Sequence, residues 1–353
     1  MKDINSLHLI SGLGQGGAEK VLLDMSIEFK KNKNIENYIV SFSNETALLS
    51  EFEKNGINVT VLHRKKSFQN FYKMILEIST YIKNQEIDII HAHMSHAMIV
   101  AVILRMRFPK LKVVFTPHSV HFGNKLREGI IFLLKPFREI DILFSENMKQ
   151  WFNKENYKVI PNGIRVVDFN VDIEKFEKFT FIAVGNIKEA KNYPFLIDCA
   201  NELRKSFDFQ LLIIGGGKDK VLLEKQVSDL GLEKYVYLKG SQNNVSELLS
   251  KSHCLVVPSL WEGMPLSILE AGASRLPVVS TPVGAIPSII DESNGYLAKE
   301  DMFCETMKYV FNHYEEAAIK AEKLQKKIIE NYSIKSIAKK HGEVYASLMN
   351  FRL

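Results

Sequence analysis

From residue 7 to residue 281, short β-branched apolar runs alternate with amphipathic stretches, and the alternation breaks once. This pattern restricts the chain more than any other feature. Alternating strand and helix periods specify βαβ units, and therefore parallel sheets covered by helices. Runs at 7–11, 38–42, 59–63, 87–92, 113–116 and 140–145 read as strands of a first sheet, with helical patterns at 19–30, 71–84 and 97–106. Residues 159–179 (VIPNGIRVVDFNVDIEKFEKF) mix Pro, Asn-Gly and charge with no sustained period, and read as a linker. The alternation restarts with strands at 179–185, 210–215, 236–239, 254–257 and 278–281, and helices at 193–206, 221–230, 246–250 and 265–273. The tail from 301 to 353 reads as helical throughout. A length of 353 residues suits two such domains.

Composition narrows the class. With 46% hydrophobic and 25% charged residues, the chain matches soluble globular proteins. No apolar run approaches the roughly 20 residues of a membrane span. The short patch LHLIS runs into a glycine-rich turn, so it reads as a first strand and not a signal peptide. Cys199, Cys254 and Cys304 are scattered and lack metal spacing, which predicts reduced thiols, a cytoplasmic setting and no zinc site. Charge is uneven. Residues 1–165 hold 23 Lys+Arg against 16 Asp+Glu, and the remainder holds 23 against 25. Much of the basic surplus lies in 63–73 and 105–112, suited to an anionic partner such as phospholipid headgroups or a lipid pyrophosphate. No Cys/His finger occurs and the aromatics are not interleaved as stacking platforms, which argues against nucleic acid.

Three local features carry chemistry. In residues 258–282 (PSLWEGMPLSILEAGASRLPVVSTP), Glu262 and Glu270 stand eight positions apart. Pro265 is placed as the first helical residue, and Glu262, Gly263 and Met264 then form the loop at the helix mouth, a ready anion site. Glu270 falls one to two turns inside, where a carboxylate can accept two hydrogen bonds from a ribose diol. Second, Gly12-Leu13-Gly14-Gln15-Gly16-Gly17 matches a dinucleotide fingerprint between a strand and a helix. The acid expected at the end of the second strand is missing, since that strand closes Ile39-Val40-Ser41-Phe42 and Glu45 comes late. An NAD(P)-dependent oxidoreductase stays open as an alternative. Third, His91, His93 and His96 (HAHMSH) hint at a metal, yet His91 and His93 share a strand face while His96 falls outside it.

Taken together, these segments resemble family 4 retaining glycosyltransferases of GT-B fold (group 1 glycosyl transferases). The resemblance rests on the whole run 258–282, on GLGQGGAEKVLLDM (12–25), on DIIHAH (88–93), and on FIAVGNIKEAKNYPFLIDCA (181–200). It implies two Rossmann-like doubly wound α/β domains facing across a cleft: an acceptor domain 1–163 completed by a C-terminal helix 334–353 that crosses back, and a nucleotide-sugar donor domain 164–333. His118, after the strand KVVF, would contact the transferred sugar. Lys191 sits at the position of a diphosphate-binding lysine. Asn186 replaces the usual arginine, so one of two cations is absent. Gly16 and Gly17 would let backbone approach the donor phosphate, and Lys239 and Gly240 would hold the nucleobase. Gly215-Gly216-Gly217 fits the family's strand-end turn and also a plain tight turn. Glu262 would bind sugar hydroxyls and Glu270 the ribose, with Gly263, Met264 and Pro265 at the diphosphate.

The implied reaction moves a hexose from a nucleoside diphosphate sugar, with UDP-sugar expected, to a glycan or polyprenyl-diphosphate-linked acceptor. Retention without a protein nucleophile is implied, and no metal or cofactor, since no Asp-x-Asp occurs. Surface polysaccharide assembly (capsule, O-antigen or exopolysaccharide) at the inner face of the cell membrane is the expected setting. A nucleotide-sugar epimerase of similar two-domain fold is the other alternative.

Overall fold

The computed structural model describes residues 3–31, 34–62, 68–119, 124–169 and 173–349. It divides into two compact units, Met1–Gly163 with Ile334–Leu353, and Ile164–Ser333. The basic residues 63–67 lie outside the described residues.

The first unit holds seven strands: β1 (Ile4–Ile10), β2 (Ile35–Ser41), β3 (Asn58–Val61), β4 (Ile89–His93), β5 (Lys112–Thr116), β6 (Ile140–Leu143) and β7 (Tyr157–Val159). Their order is β3-β2-β1-β4-β5-β6-β7 and every pairing is parallel. Helices α1 (Gly17–Lys31), α2 (Leu49–Lys54), α3 (Phe68–Asn84), α4 (Met94–Arg107) and α5 (Lys125–Leu133) lie between strands. Central strands covered on both faces read as unbroken apolar runs. All five residues of β4 are accordingly buried. In α3 the spacing of Met74, Ile75, Ile78 and Ile82 makes one buried stripe, each side chain contributing about 1.5–3 kcal/mol.

The second unit repeats the plan with β8 (Phe179–Val184), β9 (Phe209–Ile214), β10 (Val236–Gly240), β11 (Cys254–Val257), β12 (Val278–Ser280) and β13 (Tyr296–Leu297). Its order is β10-β9-β8-β11-β12-β13, again all parallel. Its helices are α6 (Tyr193–Leu203), α7 (Lys220–Asp229), α8 (Val245–Lys251), α9 (Leu266–Ala273), α10 (Ile286–Ile289), α11 (Glu300–Asn312) and α12 (Tyr314–Asn331). The last helix, α13 (Ile334–Leu348), packs on α1 in the first unit.

Several expectations need correction. β1 starts three residues earlier than its apolar run. Its polar residues are satisfied in place, since Ser6 Oγ donates to Asn37 Oδ1 at 3.0 Å and Asn5 N to Asp88 Oδ2 at 3.1 Å. The short strands β7 and β13 carry too few residues to show a period. The cysteines are not all free: Cys199 on α6 and Cys304 on α11 form a disulfide, leaving Cys254 as a buried thiol. These two lie 105 residues apart, and only the packing of α6 on α11 brings them together. Part of the basic segment 105–112 is also spoken for. Arg105 donates to the Pro109 and Leu111 carbonyls and pairs with Glu139 at 3.2 Å.

Candidate active site

In the second sheet the strand order reverses between β8 and β11, and open α/β sheets bind ligands at the carboxyl ends of such a switch. The loops leaving those two strands are tied by a backbone bond, Leu260 N to Ala190 O at 2.9 Å. That bond brings two of the expected site residues together. Lys191 Nζ donates to Glu262 Oε1 at 2.7 Å, and Ser259 Oγ donates to the same oxygen at 2.8 Å. The Lys191 and Glu262 side chains are only 11% and 13% exposed, so the pair is largely desolvated. Ser259 is itself held, since its carbonyl accepts from Thr281 Oγ1 at 2.6 Å.

Glycines make this crossing of loops possible. Gly185 has φ +152°, and a Cβ there would lie 2.7 Å from Lys191 Cε. Gly284 has φ +57°, and its Cβ would overlap the Glu262 carbonyl and approach that of Gly263 to 2.7 Å. Only glycine accepts both demands. Ala285 N then donates to Gly263 O at 2.8 Å, fixing the loop from the β12 side. Sequence reading passed over Gly284, Ser259 and Thr281. A glycine just beyond the strand VVS was the available signal.

Pro265 is the residue before α9, in extended conformation (φ −71°, ψ 121°), not its first helical residue. The helix starts one position later, at Leu266. Met264 and Glu270 are buried, Glu270 one turn into α9. Asn186 is exposed in the loop after β8. Lys239 and Gly240 close the edge strand β10, the Lys239 side chain exposed over the Tyr237 ring and the Gly240 carbonyl accepting from Gly215 N at 2.8 Å. The Gly215–Gly217 turn has a packing reason, because a Cβ on Gly215 would overlap Gly185 O and one on Gly217 would overlap Ile187 O. His253 also gains a role: its Nδ1 accepts from Thr180 N at 3.1 Å, and burial lowers its pKa to about 4.

The first sheet reverses between β1 and β4. Gly17 opens α1, and Gly16 leaves room for the Glu19 carboxylate, which a Cβ would overlap. Glu45 lies beyond β2, yet its carboxylate packs against the loop after β1: a Cβ on Gly12 would sit 2.8 Å from Glu45 Oε2. This contact gives Gly12 a structural reason.

His118 follows β5 with φ +57°, a left-handed conformation costly for a side-chain residue. Its Nε2 lies 2.8 Å from His93 Nδ1, and its ring meets Phe144 edge-on. Burial lowers its pKa to about 4, so it is neutral at pH 7. His91 and His93 do share a face and stack with centroids 4.4 Å apart. A third histidine, His8 of β1, joins them, its Nδ1 lying 2.8 Å from His93 Nε2. His8, His91 and His93 offer ring nitrogens within 4.8 Å of one another, a donor set suited to a transition metal. The three expected histidines differ from this set, since His96 belongs to α4.

Two family models divide the chain between them. Glycosyltransferase Family 4 matches residues 15–167, and Glycosyl transferases group 1 matches residues 178–313. The chain is a family 4 glycosyltransferase. The enzyme is 27% identical, over 80% of both chains, to the UDP-Gal:alpha-D-GlcNAc-diphosphoundecaprenol alpha-1,3-galactosyltransferase of Escherichia coli. It is also 27% identical to the capsular polysaccharide biosynthesis glycosyltransferase CapH of Staphylococcus aureus, over 79% of this chain and 82% of that one. Anabaena HepE, solved with UDP-glucose, superposes with a TM-score of 0.85 at 19% identity, covering 98% of this chain and all of that one (100%). The lipopolysaccharide outer core galactosyltransferase WaaB gives 0.74 at 20% identity, covering 98% and 100%. The fold of the enzyme is GT-B. Among the described residues no helix is long and apolar enough to cross a membrane.

Proposed function

We propose that the enzyme moves a hexosyl unit from a UDP-hexose to a glycan or polyprenyl-diphosphate-linked acceptor, with retention and without a metal, in surface polysaccharide assembly. The observation that carries this reading is the Lys191–Glu262 pair at the switch point of the second sheet, beside the start of α9. An ammonium has three N–H groups, and Glu262 takes one. The others can meet diphosphate oxygens, where negative charge grows as the glycosidic bond breaks. The N-terminus of α9 at Leu266, reached through the loop Gly263–Pro265, adds its dipole to that work. Glu262 has a second oxygen for a sugar hydroxyl, and Glu270 takes the ribose diol. Asn186 can donate from its amide where a second cation is absent, and Lys239 with Gly240 holds the base. Unit Ile164–Ser333 is assigned to the donor, and Met1–Gly163 with Ile334–Leu353 to the acceptor.

His118 is assigned to a hydroxyl of the transferred sugar, and Gly16 and Gly17 to the donor phosphate. The attack is on the same face as departure, so no side chain serves as nucleophile. The UDP-Gal and diphosphoundecaprenol in the name of the E. coli relative support a UDP-sugar and a lipid diphosphate, and the UDP-glucose bound to HepE supports the first of these. Peripheral contact with an anionic membrane on the cytoplasmic side belongs to the same proposal. It is supported by α5, which turns Leu126, Ile130 and Leu133 outward at helical spacing and whose Phe132 packs on exposed Trp151.

The deciding experiment is a donor-by-donor turnover panel that follows nucleoside diphosphate release, run with and without EDTA. Release of UDP from one UDP-hexose, dependent on a lipid-diphosphate acceptor and indifferent to EDTA, is the expected result. Stabilisation by NADH but not by UDP would refute it, the threshold being about 2.7 kcal/mol at 100 times Kd. Isomerised donor formed with no acceptor present would point instead to an epimerase.

A further inference from the structure

The hydrogen bonds beneath His118 form one continuous chain. It begins at Thr116 Oγ1, 2.7 Å from His91 Nε2. His91 Nδ1 lies 2.6 Å from the Tyr345 hydroxyl, which lies 3.3 Å from His8 Nε2. His8 Nδ1 lies 2.8 Å from His93 Nε2, and His93 Nδ1 lies 2.8 Å from His118 Nε2. Three strands, the segment after β5 and the last helix supply its members: β1, β4, β5, the loop carrying His118, and α13. His8, His91 and His93 each engage both ring nitrogens within it. His341 of α13 stands beside His91, ring centroids 5.5 Å apart, but its buried Nδ1 has no partner and takes no link.

Proton counting restricts this chain. Burial keeps every ring neutral at pH 7, with His8 lowered to about 3, His118 to about 4, and His91 and His93 well below the ordinary range. A neutral imidazole carries one N–H and one bare nitrogen. Two N–H groups facing each other make no bond, and neither do two bare nitrogens. Between imidazoles the protons must therefore run one way; the Tyr345 oxygen alone could accept from both sides, but its own buried proton would then have no acceptor among the described residues, since His91 and His8 are its only hydrogen-bond partners there. Two arrangements are left. In one, Thr116 donates and His118 ends with its proton on Nδ1. In the other, His91 donates to Thr116, and the threonine hydroxyl proton needs a separate acceptor. Thr116 is 2% exposed, and His91 is the one hydrogen-bond partner of its hydroxyl among the described residues. A buried donor with no acceptor is costly, so the first arrangement wins.

We propose that this chain fixes His118 as its Nδ1–H tautomer, which makes Thr116, His91, Tyr345, His8 and His93 positioning residues for that ring. His118 then presents a donor at its outer nitrogen, matched to a hydroxyl oxygen and mismatched to a hydroxyl proton. The chain also gives the left-handed backbone at His118 a restraint, since the ring is pinned by His93 on one side and Phe144 on another. Tyr345 brings the C-terminal helix into the chemistry as a link 337 residues from His8. The consequence for sugar contact rests on the assignment of His118 made above.

The test is a two-bond proton–nitrogen spectrum of the full chain with ¹⁵N-labelled histidine, at pH 7 without substrate. The expected result for His118 is a single tautomer, protonated on Nδ1 and bare on Nε2. Tyr345→Phe keeps the ring and removes the link, so His8 and His118 should become tautomer mixtures. Turnover should then fall by about tenfold or more, as it does when a contact group is misplaced. A wild-type His118 protonated on Nε2, or already mixed, overturns the proposal, and so does a Tyr345→Phe spectrum with His118 unchanged. Stoichiometric metal held by His8, His91 and His93 in the purified protein, measured by elemental analysis, overturns it as well. Should Tyr345→Phe fail to fold, the wild-type spectrum decides alone. The spectrum needs no donor sugar, so the two readings fail separately. The expected tautomer with no UDP-sugar turnover would sink the assignment of His118 to the sugar and leave the chain standing. A wrong tautomer in an enzyme that His118→Ala silences would do the reverse.

Discussion

Both sheets reverse strand order at the same topological place, between β1 and β4 in one and between β8 and β11 in the other. They carry opposite chemistry there. The first unit sets neutral polar groups on the strands themselves: His8, His91, His93 and Thr116 are all buried. The second sets charge on the loops beyond the strands, where Lys191 and Glu262 keep a little solvent. The difference follows from desolvation. A strand buried on both faces cannot hold an ion without a large penalty, so its histidines stay neutral and bond one another. A loop at the strand end can hold an ion pair, provided each partner is satisfied. The lesson is that one doubly wound plan accepts either solution, and the residues at the strand ends decide which.

Acidification should break this symmetry most strongly. His8, His118 and His341 have folded pKa values lowered to about 3, 4 and 3. The unfolded chain binds their protons near pH 6.5 and the folded chain does not, so stability is present above about pH 6.5 and is lost as pH falls toward 4. Each such histidine contributes about 1.4 kcal/mol per pH unit across that window. Hydrogen exchange read separately in the two units should show the first opening well before the second, where His253 is the one histidine with a resolved lowering. Equal loss of protection in both units between pH 6.5 and 4 would contradict the contrast.

Next in size is the charge of the second unit. Lys191→Ala should cut turnover by about 10²-fold, as loss of a charge-stabilising donor does. It should also destabilise the fold by about 1–3 kcal/mol by leaving the Glu262 carboxylate short of a partner. Adding Glu262→Gln to that variant should restore most of the stability and none of the activity. Full activity in Lys191→Ala would place the diphosphate elsewhere. A smaller effect is expected from Gly284→Ala. Its positive φ and the overlap with Glu262 O predict a loss of about 1–2 kcal/mol, with a raised KM for the donor as the acidic loop shifts. An unchanged melting temperature would show that the loop yields without cost. Glu270→Gln should weaken donor binding while leaving stability within about 1 kcal/mol, because an amide cannot accept both protons of a diol. An unchanged donor KM would remove Glu270 from the ribose.

What was legible in the sequence was local. The strand and helix periods repeat every few residues, so the parallel sheets and the restart after residue 179 could be read directly. The run 258–282 keeps its strand, loop and helix in one piece, so Glu262, Gly263 and Glu270 could be placed with an error of one residue at Pro265. What the spacing does not carry is of another kind. It marks Glu262 as a sugar ligand and Lys191 as a phosphate ligand, with no sign that the two bond each other across 71 residues. It marks Gly12 and Gly14 as part of a glycine loop, with no sign that Glu45 packs against them. Short edge strands and the Cys199–Cys304 bridge carry no pattern that a period can detect.

The sequence by itself determined the kind of layers, their grouping in two sets, and the family to which the chain belongs, because those depend on spacing along the chain. Only the tertiary structure decided which polar groups meet. Thr116, His91, Tyr345, His8, His93 and His118 are ordinary residues in separate segments, and nothing in their spacing announces a shared proton. Hydrogen bonding reaches about 3 Å through space and ignores distance along the chain. The scaffold could therefore be read ahead, while the tautomer of one histidine waited for the fold.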